Sequence, residues 1–336
     1  MKHWRGAIHI HTAYSDGSGT MDEIVAAAKT AGLDYIIISD HDTLQAKRDG
    51  WEGYHDGVLI VAGVEIEPGT RTHLLGLGID SIEGFEHMTG AECLERVKGR
   101  NGFSFLAHPE GAFRRNLGLD LEGWQCWGHP DYAGIELWSF MHDWIKGFQW
   151  FRIRNFHRKP LNKIAGPAPG LLARWDALNR ERLVVGIASL DAHAKRFLGM
   201  TFFPYKFLFQ TTLTYVLAGE PTGDGPADVR MLLESLAGGR AYLAYEPYER
   251  ADRFEFFAAG AGEKFLMGDR IALARVERLA GTMPESCQVR LLCNGRVVEE
   301  FHAEDFEFDE LEAGVWRVEA SLEGYPWIFS NPITLL

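Results

Sequence analysis

Seven short apolar runs punctuate the chain before residue 190: AIHI (7–10), YIIIS (35–39), VLIVAGV (58–64), LLGLGI (74–79), FSFLA (103–107), GIELW (134–138) and VVGIAS (184–189). Each is too short for a typical helix and apolar on both faces, the pattern of strands buried in a parallel sheet. Between the first two, TMDEIVAAAKTAG carries apolar positions at helical spacing. Thr20 with Glu23 reads as a capping box, and Gly32 as the stop. Repetition of such strand–helix units predicts an α/β barrel, in which side chains from the strand ends meet at one rim.

The 336 residues exceed one barrel, so a second, smaller unit is expected. Residues 110–183 are too long for a simple connection and read as a largely helical excursion. PADVRMLLESLAGGR (226–240) has Pro near its start and Gly238 after its last turn, which predicts a helix. From residue 251 the pattern changes to short alternating runs (RFEFFAA, QVRLLC, RVVEEF, VWRVEAS, PWIFSNPITL), with an Asn-Gly hairpin signal in CNGR (293–296). This gives a barrel unit over residues 1–250 and a small antiparallel β-sandwich over 251–336.

A hydrophobic share of 46% and a charged share of 24% fit an ordinary soluble globular protein. The net charge of −13 disfavours a long polyanion, so nucleic acid is expected only as a short substrate. Met1 to Gly6 lacks an apolar signal core, and no stretch approaches the ~18 apolar residues of a membrane span, which predicts a cytoplasmic protein without membrane contact. Cys93, Cys126, Cys287 and Cys293 show no C-x-x-C spacing and read as reduced thiols.

The polar groups lie where these apolar runs end. In HIHTAYSDG, strand alternation sets His9 and His11 on one side and Ile8 and Ile10 on the other, so two imidazoles can share a cation. Later runs end in Asp40 and His41 (ISDHDT), Glu65 (GVEIEP), His108 (FLAHPEG), and Asp191 with His193 (IASLDAHA). Singly each is weak, since an isolated H-x-H is more often an incidental pair. Together they converge on one rim. Asp40 and Asp42 either orient His41 or tie local turns. Arg114, Arg115 and Arg196 are candidates for gripping phosphate, against the alternative of solvated loop charges. The basic, aromatic stretch from Lys146 to Lys159 either grips a nucleotide strand or forms an amphipathic helix. Trp138 either shapes the pocket or lines the barrel, and the remaining histidines lack strand-end placement, apart from His142 shortly after GIELW, and read as structural.

HIHTAYSDG, SDHDT, GVEI, HLLGLGI, LAHPEG and SLDAHA, in this order, resemble the polymerase and histidinol phosphatase (PHP) family over roughly residues 6 to 195. The resemblance implies a distorted seven-stranded (β/α) barrel, two to three divalent ions (manganese, zinc or iron) and phosphoester hydrolysis. It implies one ion on His9, His11, Glu65 and Asp191, a second on Glu65, His108 and His73, and a third on Asp16, His41 and His193. Glu65, Asp191 and His193 are then central to catalysis. Asp16 stands where some members carry a histidine, and His73 opens a strand instead of ending one, which sets it between cation and substrate phosphate.

Three divalent ions bring about +6 against about −3 from the carboxylates and −1 from a bridging hydroxide; the excess of about two positive charges suits a phosphate dianion. The expected activity is attack of that hydroxide on the phosphorus of a small phosphorylated metabolite or nucleotide. The rivals are a phosphodiesterase or exonuclease on short oligonucleotides and a non-catalytic metal-binding module.

Overall fold

The computed structural model describes residues 1–69, 71–114, 119–147, 161, 164–197 and 200–336. Strand β1 (Lys2–Ile10) lies parallel to β2 (Tyr35–His41). The short β3 (Gly53–His55) folds back on β4 (Val58–Ile66), which is parallel to β2. Next, β5 (His73–Leu77) runs antiparallel to both β4 and β6 (Phe103–Ala107). This corrects the expectation that every run is parallel. Only residues 67–72 connect β4 to β5, and so short a link cannot make the crossover that a parallel neighbour needs.

A hairpin of β7 (Ala112–Arg114) and β8 (Leu119–Leu121) follows, then β9 (Gly134–Ser139), parallel to β6 and to β10 (Val185–Ser189). Hydrogen bonds from Leu190 N to Ile8 O (2.9 Å) and from Ala192 N to His9 O (3.0 Å) bring the end of β10 back to β1. The strand pairing thus returns to its start.

Helices α1 (Met21–Ala31), α2 (Gln45–Arg48), α3 (Gly90–Gly99), α4 (Phe140–Gly147) and α5 (Pro169–Glu181) punctuate these strands. The Thr20–Glu23 capping box and the left-handed Gly32 form as the sequence predicts. Described residues between 110 and 183 hold a hairpin and a strand as well as two helices, so the segment is more mixed than expected. The aromatic and basic stretch from Phe148 to Lys159 lies outside the described residues.

Beyond β10 come β11 (Arg196–Phe197), β12 (Met200–Thr201), α6 (Tyr205–Leu208), β13 (Thr212–Ala218), α7 (Gly225–Ala237) and β14 (Ala241–Tyr245). The remaining strands are β15 (Glu255–Gly260), β16 (Glu263–Leu266), β17 (Arg270–Ile271), β18 (Arg278–Cys293), β19 (Arg296–Phe308), β20 (Gly314–Leu322), β21 (Tyr325–Ser330) and β22 (Ile333–Leu335). They pair antiparallel apart from β17 with β22. Asn294 and Gly295, both at positive φ, make the turn between β18 and β19. Strand β13 is antiparallel to the first half of β1, and β14 joins β13 to β21, so hydrogen bonding runs continuously into the C-terminal strands. The fold is a mixed α/β structure rich in sheet.

Two buried clusters divide the residues of the first strands. Trp4, Ile8, Ile37, Val61, Leu75, Phe105 and Ile187 pack together with α7, whereas Ala7, Ile10, Ile36, Ile38 and Leu106 pack with helices such as α1 and α3. The first set faces the space enclosed by the strands. Inner-face positions therefore alternate along each strand and emerge at one rim as His41, Glu65, His73 and Asp191.

Ile8 and Ile10 fall in different clusters, which corrects the simple alternation expected for β1. His9 has φ 68°, and the pairing with β2 shifts between Ile8 and Ile10. This bulge resets the phase, so Ile8 and His9 both turn inward, Ile10 turns outward and His11 returns inward.

Candidate metal centre

Glu65, buried at the end of β4, is the hub of the rim. Its Oε2 lies 3.0 Å from His9 Nε2, 3.2 Å from His11 Nε2 and 3.3 Å from His41 Nδ1. Its Oε1 lies 2.9 Å from His73 Nδ1 and 3.0 Å from His108 Nε2. His73 opens β5, but because β5 runs antiparallel to its neighbours, the start of that strand reaches the rim where the others finish.

Asp191 and Asp16 extend the cluster outward. Asp191 Oδ1 lies 3.3 Å from His11 Nε2 and 3.5 Å from both His9 Nε2 and His193 Nδ1. Asp16 Oδ1 stands 3.1 Å from His193 Nε2, 3.6 Å from His41 Nε2 and 3.7 Å from His11 Nδ1. The structure thus brings together His9, His11, Asp16, His41, Glu65, His73, His108, Asp191 and His193. Among the described residues they include the groups His9–Glu65–His108, His9–His11–Asp191, His41–Glu65–His73 and His11–Asp16–His41–His193, each with donor atoms within 4.8 Å of one another.

Backbone conformation helps to aim these groups. His9, His108 and Asp191 all have positive φ (68°, 27° and 54°), where non-glycine residues are uncommon and strained. Each sits at a strand end, where the chain turns to point a side chain into the rim.

Fixed charge and burial set the protonation balance. Burial favours neutral Glu65, but His9, His108, His11 and His73 outweigh it and hold the carboxyl well below its usual range. Asp191 is likewise depressed despite burial, by His193 and His9. Burial opposes charge on His9, yet Glu65, Glu136 and Asp191 prevail and raise it well above the ordinary histidine value. His41 is pushed up to about 9, because Glu67 and Glu65 overcome its desolvation. The carboxylates thus raise His9 and His41, whereas burial and His142 lower His108; divalent cations would take the place of protons when such ligands deprotonate.

The donors present fit divalent cations. His9 Nε2, both ring nitrogens of His11 and His41 Nδ1 are buried and face carboxylate oxygens at ion-pair distance without a well-formed hydrogen bond. Such atoms are costly unless satisfied, and mixed imidazole and carboxylate donors suit first-row divalent metals.

Four further residues take part that are not among the expected ligands. Glu136, fully buried on β9, places Oε1 2.6 Å from His9 Nδ1 and accepts a hydrogen bond from His108 N at 2.7 Å. A carboxylate inside the apolar run GIELW is the signal that could have found it. Glu67 Oε1 lies 2.7 Å from His41 Nδ1. Lys195 donates to Asp16 Oδ2 at 2.6 Å. His142, read from the sequence as structural, has Nε2 3.4 Å from Asp191 Oδ2.

Asp40 faces the loop that follows β1. It accepts hydrogen bonds from Thr12 N, Thr12 Oγ1 and Ser15 Oγ, fixing the loop that carries Asp16. Asp42 accepts from Glu67 N at 3.1 Å. Both take the turn-tying role that was one of the two expected.

Arg196, a candidate phosphate contact, is exposed and pairs with Glu23 in the first turn of α1 at 3.3 Å. Arg115 and the side chain of Arg114 lie outside the described residues. Trp138 is buried, donates to Asp143 Oδ2, packs against Tyr245 and Phe329 and also lines the cavity beside the cluster. A cavity of about 500 Å³ opens beside the cluster, lined by His108, Glu136, His142, Lys146 and Leu171 among others.

The PHP domain family matches residues 7–107. The phosphoribosyl 1,2-cyclic phosphate 1,2-diphosphodiesterase of Eggerthella lenta is 33% identical over 79 residues, 22% of this chain; the match spans only 30% of that relative's length. An uncharacterised protein of Methanocaldococcus jannaschii is 27% identical over 147 residues, 38% of this chain and 84% of the relative. Among solved structures, a two-domain protein of Bacteroides vulgatus containing a predicted PHP-like metal-dependent phosphoesterase aligns over 98% of this chain and 95% of its own, at 14% identity and a TM-score of 0.47. Residues 7–107 thus match the PHP domain family, and they carry His9, His11, Asp16, His41, Glu65 and His73 of the histidine and carboxylate cluster.

Proposed function

We propose that this protein is a metal-dependent phosphoesterase acting on a small phosphorylated metabolite or nucleotide. The observation that carries the reading is Glu65: one buried carboxylate faced by five imidazoles, several of whose nitrogens meet only carboxylate oxygens without a well-formed hydrogen bond. Such a cluster has little structural use without cations, since its poorly hydrogen-bonded nitrogens and packed charges destabilise the fold.

His9, His11, Glu65 and Asp191 would hold one divalent ion, Glu65, His108 and His73 a second, and Asp16, His41 and His193 a third. When bound, such ions activate water and neutralise charge on phosphate oxygens. The chain positions these donors. Glu136 fixes the ring of His9 through Nδ1 and ties down the backbone of His108, and Glu67 orients His41. Asp40 anchors the Asp16 loop through Thr12 and Ser15. The ring of seven strands is read as the distorted (β/α) barrel, and residues 251–336 as an accessory β-domain.

The Eggerthella relative is named for a cyclic phosphodiester, which earns that substrate class a place beside monoesters and short oligonucleotides. No helix of the described residues is long and apolar enough to cross a membrane. The test is elemental analysis of the purified protein together with turnover of monoesters, cyclic and linear diesters, nucleotides and short oligonucleotides. Two to three manganese, zinc or iron ions and hydrolysis of a small phosphoester are expected. Faster cleavage of oligonucleotides than of monomers selects the nuclease alternative, and bound metal without turnover selects a non-catalytic module. His193→Ala and Asp191→Ala each lower metal content and turnover without unfolding the chain; unchanged activity in either contradicts the reading.

A further inference from the structure

Strand β9 passes directly into helix α4 with no intervening loop, so the first turn of that helix stands at the rim of the metal centre. His142 is its third residue and is buried. The ring stacks face to face on His108, with centroids 4.3 Å apart and planes 11° from parallel.

The two oxygens of Asp191 face different partners. Oδ1 is turned to His9, His11 and His193, whereas Oδ2 lies 3.4 Å from His142 Nε2. Donor atoms of His108, His142 and Asp191 all fall within 4.8 Å of one another, a spacing that a single cation can span. A histidine buried only to fill space packs against apolar groups and bonds a backbone carbonyl. His142 instead aims a ring nitrogen at a carboxylate already committed to the cluster, beside an imidazole that also serves it.

We propose that His142 is a metal ligand, grouped with His108 and Asp191, so that one cation position of the centre is held in part from helix α4. Asp191 then bridges two cation positions through its separate oxygens. The inference rests on the reading that the centre loads divalent cations, and it adds a ligand beyond the nine residues of the strand-end pattern. That ligand lies outside residues 7–107, where the family match is found.

The test uses the full chain, stripped with chelator and titrated with Co²⁺ alone, comparing wild type, His142→Gln, His142→Cys and, as a control on β19, His302→Gln. Loss of one nitrogen donor is expected to weaken at least one Co²⁺ equivalent by roughly ten-fold or more and to change the visible absorption of the loaded protein. In His142→Cys a thiolate takes the donor's place, and a sulfur-to-cobalt charge-transfer band appears in the near ultraviolet. The His302→Gln titration superimposes on wild type.

Wild-type uptake of Co²⁺ with an unaltered His142→Gln titration, or a folded His142→Cys without the new band, overturns this inference alone. A wild-type chain that takes up no Co²⁺ overturns both it and the phosphoesterase reading.

Discussion

Glu136 Oε1 lies 2.6 Å from His9 Nδ1, and the other oxygen of the same carboxylate accepts a hydrogen bond from His108 N. One buried side chain on β9 thus fixes two residues that arrive from β1 and β6. A carboxylate behind a metal-binding imidazole sets its tautomer and raises its basicity, and loss of such a partner typically costs about 10–100-fold in metal affinity. Glu136→Gln keeps the shape and removes the charge. The expected outcome is a folded protein whose metal affinity, measured by competition with a chromophoric chelator, falls within about that range. Affinity equal to wild type would show that His9 is held by its other contacts.

Removal of metal tests the cluster as a source of stability. Without cations, the packed carboxylates and poorly hydrogen-bonded ring nitrogens lose their compensation. A ligand present at a hundred times its dissociation constant stabilises the native state by about 2.7 kcal/mol. Calorimetry with and without excess chelator is expected to show a lower melting temperature in the chelator, restored by adding back divalent metal. Identical melting curves would mean that the cluster binds nothing.

A pH-dependent contribution is expected well away from the metal centre. Asp228, in α7, accepts hydrogen bonds from Tyr54 Oη, from Thr222 N and Oγ1, and from Gly223 N, joining that helix to β3 and to the turn before it. Burial pushes its carboxyl up, but the Tyr54 hydroxyl and the Thr222 and Gly223 donors prevail and hold it below the ordinary value. A depressed carboxyl stabilises the fold above its unfolded pKa, near 3.9 for aspartate, and that stabilisation is lost as pH falls through the folded value. Asp228→Asn is expected to lose about 1–3 kcal/mol at neutral pH. In urea denaturation the gap from wild type should narrow below pH ~4. A gap independent of pH would assign the loss to shape instead of charge.

Much of the site was readable because the inner face of a strand keeps its phase. The alternation that buries Ile37 and Val61 also delivers His41 and Glu65 to the rim, and the apolar runs locate both strands. The departures have local causes. A bulge at His9 broke the phase that alternation assumes, although the two imidazoles still share a side. The reversed direction of β5, which explains why His73 opens a strand and yet reaches Glu65, was latent in the short link before it. Glu136 was visible only as a charge in an apolar run. His142 follows shortly after the run GIELW, but it lies on a helix, and its approach to Asp191 depends on how α4 leaves β9.

The last prediction concerns the junction between α5 and the C-terminal strands. Arg317 on β20 is buried and donates through Nε and Nη2 to both oxygens of Asp176 on α5, at 2.6 and 2.9 Å, and through Nη1 to Glu319 at 2.6 Å. A bidentate guanidinium pair of this kind joins two elements rigidly, but its Coulombic gain is set against the cost of burying three charges. Arg317→Met leaves Asp176 buried without its cation, whereas Arg290 still reaches Glu319 from β18. The expected loss is about 3–5 kcal/mol, read as a lower denaturation midpoint. Replacing both partners, Arg317→Met with Asp176→Leu, removes the stranded charge as well as the pair, and should recover a large part of that loss. A double variant as unstable as Arg317→Met alone would show that packing around the guanidinium, which lies over the ring of Trp175, matters more than charge.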